Sequence, residues 1–225
     1  WCVAEGLIER LPKYGPDFRQ PKAKSIRAHR ARQPAKAFTV DELLATLDEC
    51  GVHLKAMTLL GINAGWSNSD CSTMPLDAVN FDTGWVDFAR AKTAIHRHVP
   101  LWDETLEALR ASLERRPEPT EEITKNAFFV RHNGGAWAES TGPTNHISKH
   151  FNGAMKRAEV LRKGLSFYSL RHTFETIAGD SKDQVAVDAI MGHVDNSMAA
   201  IYRQNIEEQR LRDVVNHVHL WLYGK

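Results

Sequence analysis

The sequence predicts a mainly α protein with one small antiparallel β-sheet, an α+β class. Three observations carry this. Most of the chain spaces its apolar residues at three and four positions, the period of helices packed on one face. Only Pro75–Leu101 changes to period two, with a turn signal at Asp82-Thr83-Gly84, which reads as strands. A chain of 225 residues at 42% hydrophobic content supports one sizeable core with attachments.

Composition narrows the function classes. No apolar run reaches the roughly 18 residues of a membrane span and no signal peptide pattern opens the chain, so a cytoplasmic protein is expected. Cys2, Cys50 and Cys71 are odd in number and form no CxxC pattern. Neither a disulfide frame nor a zinc site is indicated, and reduced thiols are the default. Formal net charge is only +1, but its distribution is uneven. Nine Lys or Arg (10, 13, 19, 22, 24, 27, 30, 32, 36) stand against Asp17 between Arg10 and Lys36. The compensating acids lie in Asp103–Glu122 and Glu207–Asp213.

In chain order, Trp1–Leu11 reads as the last turns of a preceding helical domain, and Pro12–Pro34 as a basic linker without apolar periodicity. Lys22, Lys24, Arg27, Arg30 and Arg32 either track phosphates there or form a solvated tail. The expected division is 1–36, the end of a helical domain plus linker, and 37–225, one folded domain. Thr39-Val40-Asp41-Glu42 has capping-box spacing and opens a helix to about Glu49. A second helix, Val52–Ala64, carries Leu54, Met57, Leu59, Leu60 and Ile62 and is buried on most sides. Strands are expected over Leu76–Phe81, Trp85–Ala89 and Arg97–Leu101, with a turn at Ala91-Lys92-Thr93-Ala94 before the third. His96 and His98 share a strand face, but no third ligand lies near, so no metal is expected.

An amphipathic helix over Asp103–Arg115 follows, then an acidic loop, a short buried strand at Phe128–Val130 and a tight turn at Asn133-Gly134. Gly142–Val160 reads as a helix with Ile147, Phe151, Met155 and Ala158 inward. Its outer face carries His146, Lys149, His150, Lys156 and Arg157, a phosphate-contacting surface or an ordinary solvated one. Ser169 is expected to cap the helix bearing Arg171 and His172. Asp183–Met191 forms another helix that Gly192 ends, Ser197–Arg203 a short one bearing Tyr202, and Glu207–Leu222 an amphipathic one. That last helix docks either on its own domain or on a neighbouring protomer.

Within Phe167–Gln204 four features keep a fixed order: Tyr168-Ser169-Leu170-Arg171-His172-Thr173, an apolar helical pattern, Gly192-His193, and Tyr202 nine residues later. The stretch resembles the C-terminal half of the catalytic domain of the tyrosine recombinases, the phage integrase family. Their pattern is His-x-x-Arg-His-Thr, Leu-Gly-His and then Tyr at similar spacing. Lys92-Thr93 followed by Arg97-His98-Val99-Pro100-Leu101 resembles the family's Lys-Thr turn and Arg-x-Val-Pro-Leu strand. Gly65-Trp66-Ser67-Asn68-Ser69-Asp70 aligns with its Gly-Leu-Arg-x-Ser-Glu element.

The resemblance implies the catalytic-domain fold of that family and DNA strand exchange through a 3′-phosphotyrosyl link. Tyr202 is then the nucleophile, Arg171 a phosphate clamp, His193 a hydrogen-bond donor to the phosphate, and Lys92 the general acid for the leaving 5′ oxygen. Tyr168 takes the position of the usual His; it donates a hydrogen bond but does not accept a proton at neutral pH. Two departures stand out, Tyr168 and Ser67. Ser67 occupies the place of the family's first arginine, and loss of such a charge contact costs about 10²–10³ in rate. Asp70 matches the acidic position and either orients the site or caps a helix. Arg90 and Arg203 are the sequence neighbours able to rebuild the clamp. The implied partner is double-stranded DNA, bound by a self-associating chain that forms a tetramer on it and is nucleoid-associated. Because the bond energy is kept in the phosphotyrosyl link, no cofactor, ATP or metal is expected. The alternative is a catalytically impaired DNA-binding protein on the same scaffold.

Overall fold

The computed structural model describes residues 1–13, 15, 18, 21–32, 34–90, 92–137, 145–194 and 205–224. The chain divides into two compact units, Trp1–Ala35 and Lys36–Lys225. The first opens on hydrogen-bonded turns, with Glu5 N donating to Trp1 O and Leu7 N to Cys2 O. It then forms helix α1, Ala23–Ala31. Part of the segment read as a basic linker is therefore helical. The segment AKSIRAHRA is rich in Ala, Lys and Arg, all strong helix formers, and lacks the apolar stripe on which a periodicity reading depends.

In the second unit Thr39 caps α2, Val40–Asp48, through a full capping box with Glu42. Arg162 ties this start down: its Nε donates to Glu42 Oε1 at 2.7 Å and one Nη2 donates to Ala37 O at 3.0 Å. Helix α3, Val52–Ala64, is the centre of the core. Every residue from Ala56 to Ala64 is buried, which explains a helix that is apolar on most sides rather than amphipathic. Gly61 lets α7, Tyr168–Gly179, approach closely, since a Cβ there would lie 2.7 Å from Leu170 Cδ1 and 3.1 Å from Leu170 Cβ.

The sheet contains β1, Val79–Asn80, β2, Trp85–Asp87, and β3, His98–Pro100, antiparallel in that order. Val79 pairs with Val86, and Val86 with Val99. Two strand expectations are corrected. Leu76–Ala78 is a single 3₁₀ turn before β1. Phe128–Val130 joins no ladder; one bridge links Pro75 to Ala127, and Phe128 N donates to Met74 O at 2.7 Å. Phe128, Phe129 and Val130 are all buried, so the segment lacks the alternation of a sheet strand. Asn63 locks α3 to the end of the sheet. Its Nδ2 donates to Pro100 O at 3.1 Å, and its Oδ1 accepts from Trp102 N and Thr105 Oγ1, both at 2.9 Å.

The remaining helices close the unit: α4, Asn68–Thr73, α5, Asp103–Glu114, α6, His146–Arg157, α8, Gln184–Met191, and α9, Glu208–Tyr223. Asn145 caps α6 by accepting from Ser148 N; the expected first turn at 142–144 lies outside the described residues. Ser169 is not the N-cap of α7. Phe167 holds that place, and the Ser169 hydroxyl instead accepts from Ser166 N and donates to Gly164 O. Helix α9 packs on its own unit, where Trp102 Nε1 donates to Val215 O at 3.1 Å and Arg210 pairs with Asp183 at 2.7 Å. Among the described residues no helix is long and apolar enough to cross a membrane.

Two glycines test this packing in opposite directions. Gly61→Ala forces α3 and α7 apart and should cost about 1–3 kcal/mol in urea unfolding. In α6 a Cβ at Gly153 meets only Arg157 Nη1 at 3.6 Å, so Gly153→Ala should stabilise by about 0.5–1 kcal/mol. The Glu42 tether carries a pH signature. Hydrogen bonds from Arg162, and then from Thr39, hold its carboxyl below the usual value against burial. A depressed folded-state pKa adds stability that is present above the ordinary carboxylate range and lost as pH falls through the folded value. The Tm gap between the wild type and Glu42→Gln should therefore be widest near neutral pH and close towards about pH 3.

Candidate active site

Helices α3 and α8 both end in left-handed glycines, Gly65 (φ 64) and Gly192 (φ 63). A left-handed residue is cheap only for Gly, and each turns the chain so that a terminal carbonyl faces inward. Arg171, in the first turn of α7 and 3% exposed, fills the space between them. Its Nη1 donates to Gly65 O at 2.6 Å and its Nη2 to Met191 O at 2.9 Å. Burial pulls its pKa below the usual value and the charge of Arg90 pulls the same way, while Tyr168 and Asp70 oppose.

The turn at Gly192 presents His193. Its Nδ1 lies 3.1 Å from Asp188 Oδ1 and 3.8 Å from Glu175 Oε2, and its backbone N donates to Asp188 O. Carboxylates on Nδ1 fix that nitrogen as the donor and leave Nε2 for a ligand. Glu175 and Asp188 escaped the sequence reading because each looks like an ordinary polar position on an amphipathic helix. One ligand atom from each of the three side chains lies within 4.8 Å of the others, a spacing that would also accommodate a cation.

The turn between β2 and β3 docks on the same point. Arg90 Nη1 and Thr93 Oγ1 both donate to Gly192 O at 3.1 Å. The turn closes through Thr93 N and Ala94 N on Arg90 O, with Ala94 at φ 54. Lys92, between those two tethers, is exposed.

Ser67 stands two residues beyond Gly65, whose carbonyl holds Arg171. Its hydroxyl donates to Asp70 Oδ2 at 2.6 Å, and its backbone N donates to the same oxygen at 2.8 Å, a capping box for α4. The other Asp70 oxygen accepts from Arg97 Nη2 at 2.9 Å, both side chains being almost fully enclosed (0% and 2% exposed). Arg97 also lies over the Trp66 ring at 4.7 Å and donates from Nε to Phe88 O. Burial lowers its pKa and Asp70 opposes this. Its Nη1 has no partner among the described residues.

The structure thus brings Arg171, His193, the Lys92 turn, Ser67 and Asp70 into one region. Tyr202 and Arg203, with the helix expected over Ser197–Arg203, lie outside the described residues. Tyr168 is 44% exposed and meets the His172 ring edge-on at 5.2 Å. Lys149 and Lys156 are exposed on α6, whereas Arg157 is paired with Glu49 at 2.8 Å. A cleft of about 350 Å³ lined by Lys149, His150 and Arg157 opens at the N-terminus of α3. Lys22, Lys24, Arg27 and Arg32 are exposed in the first unit, and Arg30 falls within α1. His98 Nδ1 donates to Asp87 Oδ1 at 2.7 Å and its ring stacks on Trp85 at 4.0 Å.

The Asp70–Arg97 pair supplies a stability test. Asp70→Asn leaves a buried guanidinium without its counter-charge and should cost about 3–5 kcal/mol. Adding Arg97→Met removes the stranded charge, and urea unfolding of the double variant should recover at least half of that loss.

The family model described as "Phage integrase family" matches residues 35–209. The chain is 25% identical over 227 residues to the tyrosine recombinase XerC of Alcanivorax borkumensis, covering 97% of this chain and 68% of that one. Its fold is similar to the integrase from mycobacterium phage Brujita (TM-score 0.60, 18% identity, 97% of this chain and 67% of that one). It is also similar to a lambda integrase dimer bound to a COC′ core site (TM-score 0.57, 17% identity, 92% and 70%). The match spans the docked hairpin, Arg171 and the Gly192-His193 turn together, and this chain belongs to the phage integrase family.

Proposed function

We propose that this chain is a site-specific recombinase that cleaves and rejoins DNA strands through a 3′-phosphotyrosyl intermediate on Tyr202. The observation that carries the reading is the shared anchoring of three separate segments. Arg171 from α7 and the hairpin turn bearing Lys92 are tied to the consecutive carbonyls of Met191 and Gly192, directly before His193. Chemistry on a phosphodiester needs this convergence of a buried guanidinium, an oriented imidazole and an ammonium.

In the proposed step the Tyr202 oxygen attacks phosphorus, its hydroxyl proton passes to water, and the bond to the 5′ oxygen breaks. Arg171 holds a non-bridging oxygen, as does His193 in its imidazolium form, with Nδ1–H on the carboxylates and Nε2–H on the phosphate. The Lys92 ammonium gives its proton to the departing 5′ oxygen. A free 5′ hydroxyl of the exchange partner reverses the step. The energy of the broken bond stays in the phosphotyrosyl link, so the exchange proceeds without ATP. Tyr168 donates a hydrogen bond to the site.

The partner is double-stranded DNA, in line with the DNA-bound state of the lambda integrase neighbour. Exposed Lys149 and Lys156 on α6, and Lys22, Lys24, Arg27 and Arg32 in the first unit, are its phosphate contacts. The protein works as a tetramer on DNA in the cytoplasm, at the nucleoid.

One observation favours a second reading, a DNA-binding protein that has lost cleavage. Ser67, in the place of the first arginine, spends its hydroxyl on the α4 cap. A DNA substrate nicked near the cleavage point separates the two. The wild type should accumulate a covalent protein–DNA adduct on denaturing gels and Tyr202→Phe none. DNA binding without any adduct in either chain establishes the second reading instead.

A further inference from the structure

We infer that Arg90 supplies the second guanidinium of the phosphate clamp, replacing from the hairpin the arginine that Ser67 lacks. The inference rests on the strand-transfer reading above. Its basis is the geometry around Gly192. Arg90 Nη1 holds Gly192 O at 3.1 Å, and Arg171 Nη2 holds Met191 O at 2.9 Å. Successive residues are about 3.8 Å apart along the chain, so both guanidinium groups bear on one turn.

The three arginines of this region differ in what balances them. Arg97 has Asp70 and is enclosed. Arg171 is buried on two carbonyls. Arg90 is half-buried, and among the described residues it has no carboxylate partner; its single hydrogen-bond acceptor there is Gly192 O. A guanidinium carries five N–H donors, so most of its donors are uncommitted. A Cβ on Gly192 would lie 3.1 Å from both Arg90 Cδ and Arg97 Cδ, which shows that the two side chains flank this turn together. Asp70 balances Arg97, and Glu175 and Asp188 face His193 Nδ1, which leaves Arg90 and Arg171 as neighbours with no carboxylate hydrogen-bonded to either among the described residues. The charge of Arg90 acts against that of Arg171, and an anion between the two relieves this repulsion. A phosphate between Arg90 and Arg171 fits the donors, the charge and the exposure.

The test uses the nicked substrate with either an ordinary scissile phosphodiester or a methylphosphonate, which lacks the negative charge. Adduct formation by Arg90→Ala should fall about 10²–10³-fold on the phosphodiester with DNA affinity retained. On the neutral linkage it should match the wild type. Arg90→Lys, which keeps the charge and loses the fork, should fall between, and Ser67→Arg should restore rate to Arg90→Ala. Wild-type cleavage with undiminished Arg90→Ala cleavage overturns the Arg90 assignment alone, as does an equal loss on both linkages, the mark of a hairpin that has come loose. A wild-type chain that binds and never forms an adduct overturns the strand-transfer reading and this assignment with it. Should Arg90→Ala fail to fold, Arg90→Lys decides: a loss confined to the charged linkage supports the clamp, and no linkage dependence overturns it.

Discussion

The structure of the site depends on how Arg171 is buried. A guanidinium taken out of water without a counter-charge is costly, and no carboxylate binds Arg171 directly among the described residues. Its partners are the carbonyls of Gly65 and Met191, at the C-terminal ends of α3 and α8. Those ends carry unsatisfied acceptors and the negative pole of each helix dipole. Arg171 therefore caps two helices at once, and the left-handed glycines that end them exist to aim the carbonyls at it. The same contacts that hold α3, α7 and α8 together set the floor on which a phosphate would rest. Removing this arginine would unmake the scaffold along with the chemistry, which explains how it persists in a site that departs from the family pattern elsewhere.

Ser67 is where a departure is tolerable. An arginine there would project towards the phosphate from the start of α4. Serine has neither the reach nor the charge, and it serves the helix start instead, its hydroxyl and backbone N both on Asp70 Oδ2. This leaves Asp70 Oδ1 for Arg97, whose stacking on Trp66 keeps it in place. Enclosed with its counter-charge, Arg97 braces Asp70 and the start of α4 and brings little net charge to the site. The guanidinium on the hairpin side without a carboxylate among the described residues is Arg90, nearer the solvent.

The parts that sequence alone made readable are those written in local pattern. The capping box at Thr39, the apolar run of α3, the Gly192 helix stop and the hairpin all follow from short-range rules, and the structure contains each. Motif order and resemblance point to Arg171, His193 and Lys92 as members of one site. What sequence could not supply is pairing across distance. Nothing near Asp70 in the chain names Arg97, and nothing near His193 marks Glu175 as its neighbour. Helix α1 leaves no periodic trace, because its helix-forming residues carry no apolar stripe. Phe128–Val130 was misread because an apolar run of three looks the same in a ladder or in an isolated buried loop. Arg90 was singled out by nearness to Lys92; only the fold shows that it reaches the residue before His193.

That reach changes how the Lys92 turn is understood. A lysine at a hairpin tip reads from sequence as a mobile acid, yet here the turn is held twice on one acceptor, by Arg90 and by Thr93. The two tethers are unequal competitors for a phosphate. A bond from a guanidinium to a phosphate oxygen is stronger than one to a neutral carbonyl, so on the Arg90 assignment an entering phosphate competes with Gly192 O for this guanidinium. Thr93, a neutral hydroxyl, gains less by moving and keeps the turn in place. On the Arg90 assignment, phosphate binding and the approach of Lys92 are therefore one event: the arginine that turns to the phosphate sits two residues before the acid, and the threonine that stays behind sits one residue after it. A site that gained its second guanidinium from the hairpin would by the same means couple proton donation to the presence of the group that needs the proton.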